Sequence, residues 1–110
     1  MTDTEFEKLA EKALSAIERA LESIGADIDI DSKEGGVLEL EFPDRSRIII
    51  NRHSAAREIW VAAKGGGYHF RWESGQWRGT RDGAELFAAL SRQITAQGGS
   101  PVTLAEDARS

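Results

Sequence analysis

The sequence predicts a two-layer α+β sandwich: N- and C-terminal helices packed on one face of an antiparallel sheet of about six strands. Three observations carry this. A helical-period apolar pattern opens the chain and another closes it. Between them lie about six short segments, most with period-two alternation. The segments are joined by short turn-forming stretches such as Glu34-Gly35-Gly36 and Pro43-Asp44-Arg45-Ser46, which connect antiparallel neighbours in a meander. With helices only at the chain ends, both cover one sheet face, and the other face is left to solvent.

Thr2-Asp3-Thr4-Glu5 fits a capping box, so the first helix starts there. Its apolar stripe is Phe6, Leu9, Ala10, Ala13, Ile17, Leu21 and Ile24, and Gly25 ends it. Residues 27–32 alternate, with Ile28 and Ile30 inward and Asp27, Asp29 and Asp31 outward. Residues 37–42 alternate again, with Leu38, Leu40 and Phe42 inward. A third strand runs from Arg47 to Asn51 and a fourth from Glu58 to Lys64. Gly65-Gly66-Gly67 reads as a hairpin turn into Tyr68–Glu73, and a short strand follows near Trp77. Asp82-x-x-Glu85 resembles a second capping box, opening a helix with Leu86, Phe87, Leu90 and Ile94 on one face and Gly98-Gly99 at its end. A single domain is expected over residues 1–99, with a C-terminal tail over 100–110 that is polar except for Val102 and Leu104.

The chain has 110 residues and no cysteine, which excludes disulfides, zinc ribbons, thiolate-bound clusters and thiol catalysis. No apolar run approaches the roughly 20 residues of a membrane span. The acidic N-terminal residues resemble neither a secretory signal nor a transit peptide, so a cytoplasmic location is expected. No P-loop, Rossmann fingerprint or Gly-x-Ser-x-Gly motif is present. Met1 to Asp44 holds 13 acids against 4 bases, and the remainder 6 acids against 10 bases. The acidic third attracts cations and basic protein surfaces and repels nucleic-acid phosphates.

On the first helix Glu7, Glu11, Glu18 and Glu22 fall within an arc of about 60°, away from the apolar stripe. Glu7/Glu11 and Glu18/Glu22 are repelling i,i+4 pairs. Asp27, Asp29 and Asp31 follow on a strand expected at the sheet edge. Outward charge on an edge strand blocks aggregation, and that reading accounts for the strand better than for the helix. The other reading is an open, shallow, multi-site surface for hard cations, for which carboxylate oxygens are suited. Trp60 alternates with Ile59 and Val61, so it projects from the open face with Glu58, among Asn51, His69, Arg71, Glu39 and Glu41. It reads either as an anchor for a protein partner or as a cover for bare sheet. His53 and His69 lack metal-ligand spacing and read as surface polar residues. The residues by themselves describe a binding module without a general-base constellation.

The segments "GGVLELEF", "IIINR" and "IWVAAKGGGYHF", with the following tryptophans and closing helix, resemble the bacterial frataxins, the CyaY family. The resemblance extends from the first helix to Gln97 and is most specific over residues 48–70. It implies the frataxin-like sandwich and an iron-binding protein of iron–sulfur cluster assembly. Ferrous and ferric iron would bind weakly to Glu7, Glu11, Glu18, Glu22, Asp27, Asp29 and Asp31. The cysteine desulfurase–scaffold complex would meet Asn51, Trp60, Glu18 and Glu22, and its rate would be modulated. A mostly monomeric protein, with an iron-dependent oligomer as a further state, is implied. The alternative is a ferroxidase or an iron-storage and detoxification protein, although neither helix carries a Glu-x-x-His motif. The chain departs from the family at His53 and Glu58, where glutamine is common, and at Ser23 and Gly25, in a region often acidic.

Overall fold

A computed structural model describes residues 1–25, 27–98 and 102–104. The order is α1 (Asp3–Ile24), β1 (Asp29–Lys33), β2 (Val37–Glu41), β3 (Arg47–His53), β4 (Glu58–Ala63), β5 (Gly66–Glu73), β6 (Gln76–Gly79) and α2 (Leu86–Gly98). The six strands form one sheet in sequence order, every neighbouring pair antiparallel, with β1 and β6 at its edges. Both helices bury their apolar stripes on the same sheet face, as the alternation requires. None of the described helices is long and apolar enough to cross a membrane.

The first capping box is complete. Thr2 Oγ1 accepts the Glu5 N–H at 3.1 Å, and Glu5 Oε1 accepts the Thr2 N–H at 2.9 Å. Gly25 closes α1 in the left-handed region at φ 64°, where a Cβ would be unfavourable. The buried stripe is wider than the periodicity suggests, since Leu14 and Ala16 join it, while Ile24 is exposed. From the sheet, Leu38, Leu40, Ile48, Ile50, Ile59 and Phe70 supply the opposing wall. Leu104 is also buried, and its N–H donates to Ser91 Oγ at 2.8 Å, so the two apolar residues of the expected tail pack with the core.

Two local expectations are corrected. Asp82 does not start α2. The residues after β6 fold back on that strand: Gly79 N–H donates to the Ala84 carbonyl at 2.8 Å, and Arg78 bridges Glu85. Asp82 instead caps this turn through the Ala84 N–H. Glu85 caps α2, accepting from Phe87 N at 2.8 Å and Ala88 N at 3.2 Å. The hairpin after β4 turns on Lys64-Gly65, and Gly66 and Gly67 already belong to β5. Gly99 lies outside the described residues.

The N-terminus is tied down at the β3–β4 connection. Arg57, at φ 54°, donates to Asp3 Oδ1 from Nη2 at 2.8 Å and from Nε at 3.1 Å, and also reaches the Met1 carbonyl. This contact sets α1 beside the connection that leads into β4. Ile50 is fully buried between sheet and helices. Ile50→Ala should therefore lower stability by about 2–5 kcal/mol, and Thr2→Ala by about 1 kcal/mol, both read from urea midpoints.

Candidate functional site: the open sheet face and its acidic border

Alternation along β4 sends Ile59 and Val61 into the core and Glu58, Trp60 and Ala62 to the other face. The register then sets Trp60 opposite Asn51 of β3 and His69 of β5. His53 stacks on one side of the indole, with ring centroids 3.7 Å apart and planes 11° apart. His69 stacks on the other at 4.3 Å and 9°. Three flat rings thus stand side by side across three strands. His53 Nδ1 accepts the Ala56 N–H at 3.3 Å, so its proton in the neutral ring sits on Nε2.

Glu58 lies beneath this row. It lies on the outward face, as the alternation predicts, yet it is only 5% exposed. Its carboxylate accepts the Trp60 indole N–H at 2.8 Å and the Arg71 Nε–H at 2.7 Å, and His69 Nδ1 lies 3.6 Å away. Burial alone pushes the Glu58 carboxyl up, but the Trp60 and Arg71 hydrogen bonds and the Arg71 charge outweigh it and hold the group below its ordinary 4.5. Trp60 is correspondingly half-buried rather than exposed, because two imidazoles cover its faces and Glu58 fixes its edge. The alternation already sets Glu58, His69 and Arg71 on the face of Trp60; His53, read from sequence as a surface polar residue, is the member it misses. The signal was the fixed offset of the β3–β4 and β4–β5 pairings, which sets these side chains beside Trp60.

The acidic residues divide between two layers. Glu11 and Glu22 are exposed on α1, and Glu18 is half-buried there. Glu7 is engaged: Oε1 accepts the Ser54 hydroxyl at 2.7 Å, and Oε2 lies 2.9 Å from Arg52 Nε in an ion pair. Glu11 and Glu18 line a cleft of about 340 Å³ between α1 and the β1–β2 hairpin, shared with Lys33 and Arg52. Asp27 is exposed just before β1. Asp29 and Asp31 leave β1 on the open face, the side that carries Trp60. The register sets Asp29 directly opposite Glu41 and Asp31 directly opposite Glu39. Like charges facing each other across strands repel. Lys33 at 2.9 Å and Arg47 at 3.2 Å relieve Glu39, and the Lys33 hydrogen bond holds its carboxyl low. Arg47 stands opposite Glu41 across β2–β3 but pairs with Glu39, so among the described residues neither Asp29 nor Glu41 has an ion pair. Also among the described residues, no three carboxylates or histidines converge into a preformed metal site.

The Glu58 carboxyl is lower in the folded state than in the unfolded chain, so its stabilising contribution is full above 4.5 and is lost as pH falls through the folded value. The Trp60 indole N–H resonance, followed by NMR, should keep its hydrogen-bonded shift down to about pH 4.5 and move upfield below it. In Glu58→Gln this acid transition should vanish.

Residues 1–100 match the frataxin-like domain family. The iron–sulfur cluster assembly protein CyaY of Dechloromonas aromatica is 56% identical over 104 residues, covering 94% of this chain and 99% of that protein. The frataxin of Psychromonas ingrahamii, of the CyaY protein family, superposes with a TM-score of 0.88 at 36% identity, covering 96% and 100% of the two chains. A trimeric yeast frataxin complexed with ferrous iron shares the fold at a TM-score of 0.72 and 24% identity, covering 83% and 86%. The chain belongs to the frataxin-like family, among the bacterial CyaY proteins.

Proposed function

We propose that this protein serves iron–sulfur cluster assembly in the cytoplasm, binding ferrous and ferric iron weakly on its acidic border and docking on the cysteine desulfurase–scaffold complex to modulate its rate. The observation that carries the iron reading is the β1–β2 register. It holds Asp29 against Glu41 and Asp31 against Glu39; Lys33 and Arg47 offset the second pair, so the repulsion that a cation would relieve is that between Asp29 and Glu41. Carboxylate oxygens on an open edge suit a hard cation held weakly and exchangeably. Glu11, Glu18, Glu22 and Asp27 extend the negative field onto α1 and raise the local cation concentration. Glu7 contributes charge to that field while its oxygens serve Arg52 and Ser54.

The docking reading rests on the row of rings. A Trp with its rotamer fixed by a buried carboxylate loses little conformational freedom on binding, which suits it to anchor a partner. Asn51, opposite Trp60 and half-buried, supplies an amide beside the indole. A basic groove on the desulfurase would meet the acidic border, Glu18 and Glu22 included, so the affinity should fall steeply with salt. Being a family of cluster-assembly proteins, the relatives support this role. The ferroxidase alternative calls for convergent carboxylates and histidines, and the described residues bring no such set together.

Anaerobic titration of ferrous iron into the ¹⁵N-labelled protein should broaden the amides of Asp29, Asp31 and Glu41 first, followed by Glu18, Glu22 and Asp27. Broadening confined to His53 and His69 would remove the assignment. Asp29→Asn should weaken iron binding and, by ending the repulsion with Glu41, raise the thermal midpoint by about 1–3 °C. A drop in that midpoint would show that Asp29 is held by favourable contacts. Iron oxidation at the same rate with and without stoichiometric protein is expected.

A further inference from the structure

A second concave site lies on the helix side of the sheet, away from the acidic border. It is a cleft of about 210 Å³ between α2, strands β4–β6 and the connection leading into α2. A cavity of about 150 Å³ holds a benzene molecule, so this one has room for a ring and one small substituent. The floor is apolar: Val61, Phe70, Ala89 and Leu90. Gly79, Ala84 and Ala89 have little or no side chain, which keeps the space open.

The polar groups around it are mostly donors. Arg81 and Arg92 both line it and both are exposed. Arg81 is steadied by one Nη2 hydrogen bond to the Gly67 carbonyl at 2.8 Å and lies 5.9 Å from the Tyr68 ring centroid, leaving its other N–H groups available. Arg92 has no ion-pair partner among the described residues. The Tyr68 oxygen accepts the Gln93 side-chain amide at 3.1 Å, so its own O–H is left to donate. Thr80 adds a further hydroxyl. The one carboxylate in the lining, Asp82, already accepts the Ala84 N–H at 3.0 Å. On a chain of net charge −5, this spot therefore has the opposite local sign. An anion is repelled by the acidic border and drawn here.

We propose that this cleft binds a small carboxylate carrying a single apolar ring. The ring would lie on Val61, Phe70 and Leu90, and the carboxylate would reach Arg92 and Arg81 at the mouth, where arginine offers paired donors to two oxygens. Donors select the anion, and the apolar floor selects the ring over an inorganic ion. The cleft lies on the helix side of the sheet and shares His69 alone with the docking face; the proposal does not depend on the iron or docking readings.

The probe is sodium phenylacetate, titrated into the ¹⁵N-labelled protein at constant ionic strength. Saturable amide shifts at Tyr68, Arg81 and residues 89–93 are expected, with a Kd of about the millimolar range set by so few ligand atoms. Phenylacetamide, of the same size without the charge, should bind at least about tenfold more weakly, and so should phenylacetate to Arg92→Gln and Arg81→Gln. Both arginines are exposed, so the variants should retain the wild-type spectrum elsewhere. Non-saturating shifts, shifts centred on the Trp60 face, equal affinity for phenylacetamide, or equal affinity for inorganic phosphate would each overturn the proposal.

Discussion

Two helices cover one face of a six-stranded sheet, and the described chain supplies no third layer for the other. Everything on the open face follows from that constraint. An antiparallel sheet can leave one face wet, provided its outward side chains manage the exposed backbone and one another. Here two different solutions sit side by side. At the centre, rings and a buried carboxylate make a rigid patch from β3, β4 and β5. At the β1 edge, aspartates and glutamates face each other in register.

The central patch depends on Glu58. A buried carboxylate is costly unless its hydrogen bonds are met and its charge is compensated. The Trp60 indole, the Arg71 guanidinium and the nearby His69 ring meet those needs, and in doing so they fix the row of rings. The result is a Trp60 side chain whose position is set within the protein. The edge works the opposite way. Among the described residues only part of its charge is matched, by Lys33 and Arg47, and the Asp29/Glu41 pair has no ion-pair partner. One surface is thus satisfied within the protein, while the other keeps charge that a cation or a basic partner, as proposed above, would match.

Much of this was legible in sequence because it was local. Period-two alternation located the strands and their inward residues. The Thr2–Glu5 box located the helix start, and the residues quoted from β2 to β5 identified the family. What was not legible depended on register. Whether Asp29 faces Glu41 is decided by hairpin pairing, which no single strand encodes. Alternation gives the face of Glu58 but not its burial, which the Trp60 indole on β4 and Arg71 on β5 make tolerable. His53 looked like an ordinary surface residue until the β3–β4 pairing set its ring on Trp60. Asp82 looked like a helix cap because its spacing was right, but backbone bonds to β6 claim that turn first. The cleft beside α2 was likewise invisible, since it is assembled from β4, β5, β6 and α2 together.

In the proposed docking on the cysteine desulfurase, the aromatic row around Trp60 and the under-compensated acidic border act together. The most direct measurement is the affinity of purified desulfurase for wild type, Trp60→Ala and the Asp29→Lys/Asp31→Lys pair, each at low and high salt. The expected result is weaker binding for both variants with the fold intact by circular dichroism, and a salt dependence that is steep in wild type and Trp60→Ala but shallow in the charge-reversed protein. Wild-type affinity in both variants, or an equal salt dependence in all three, would contradict the account.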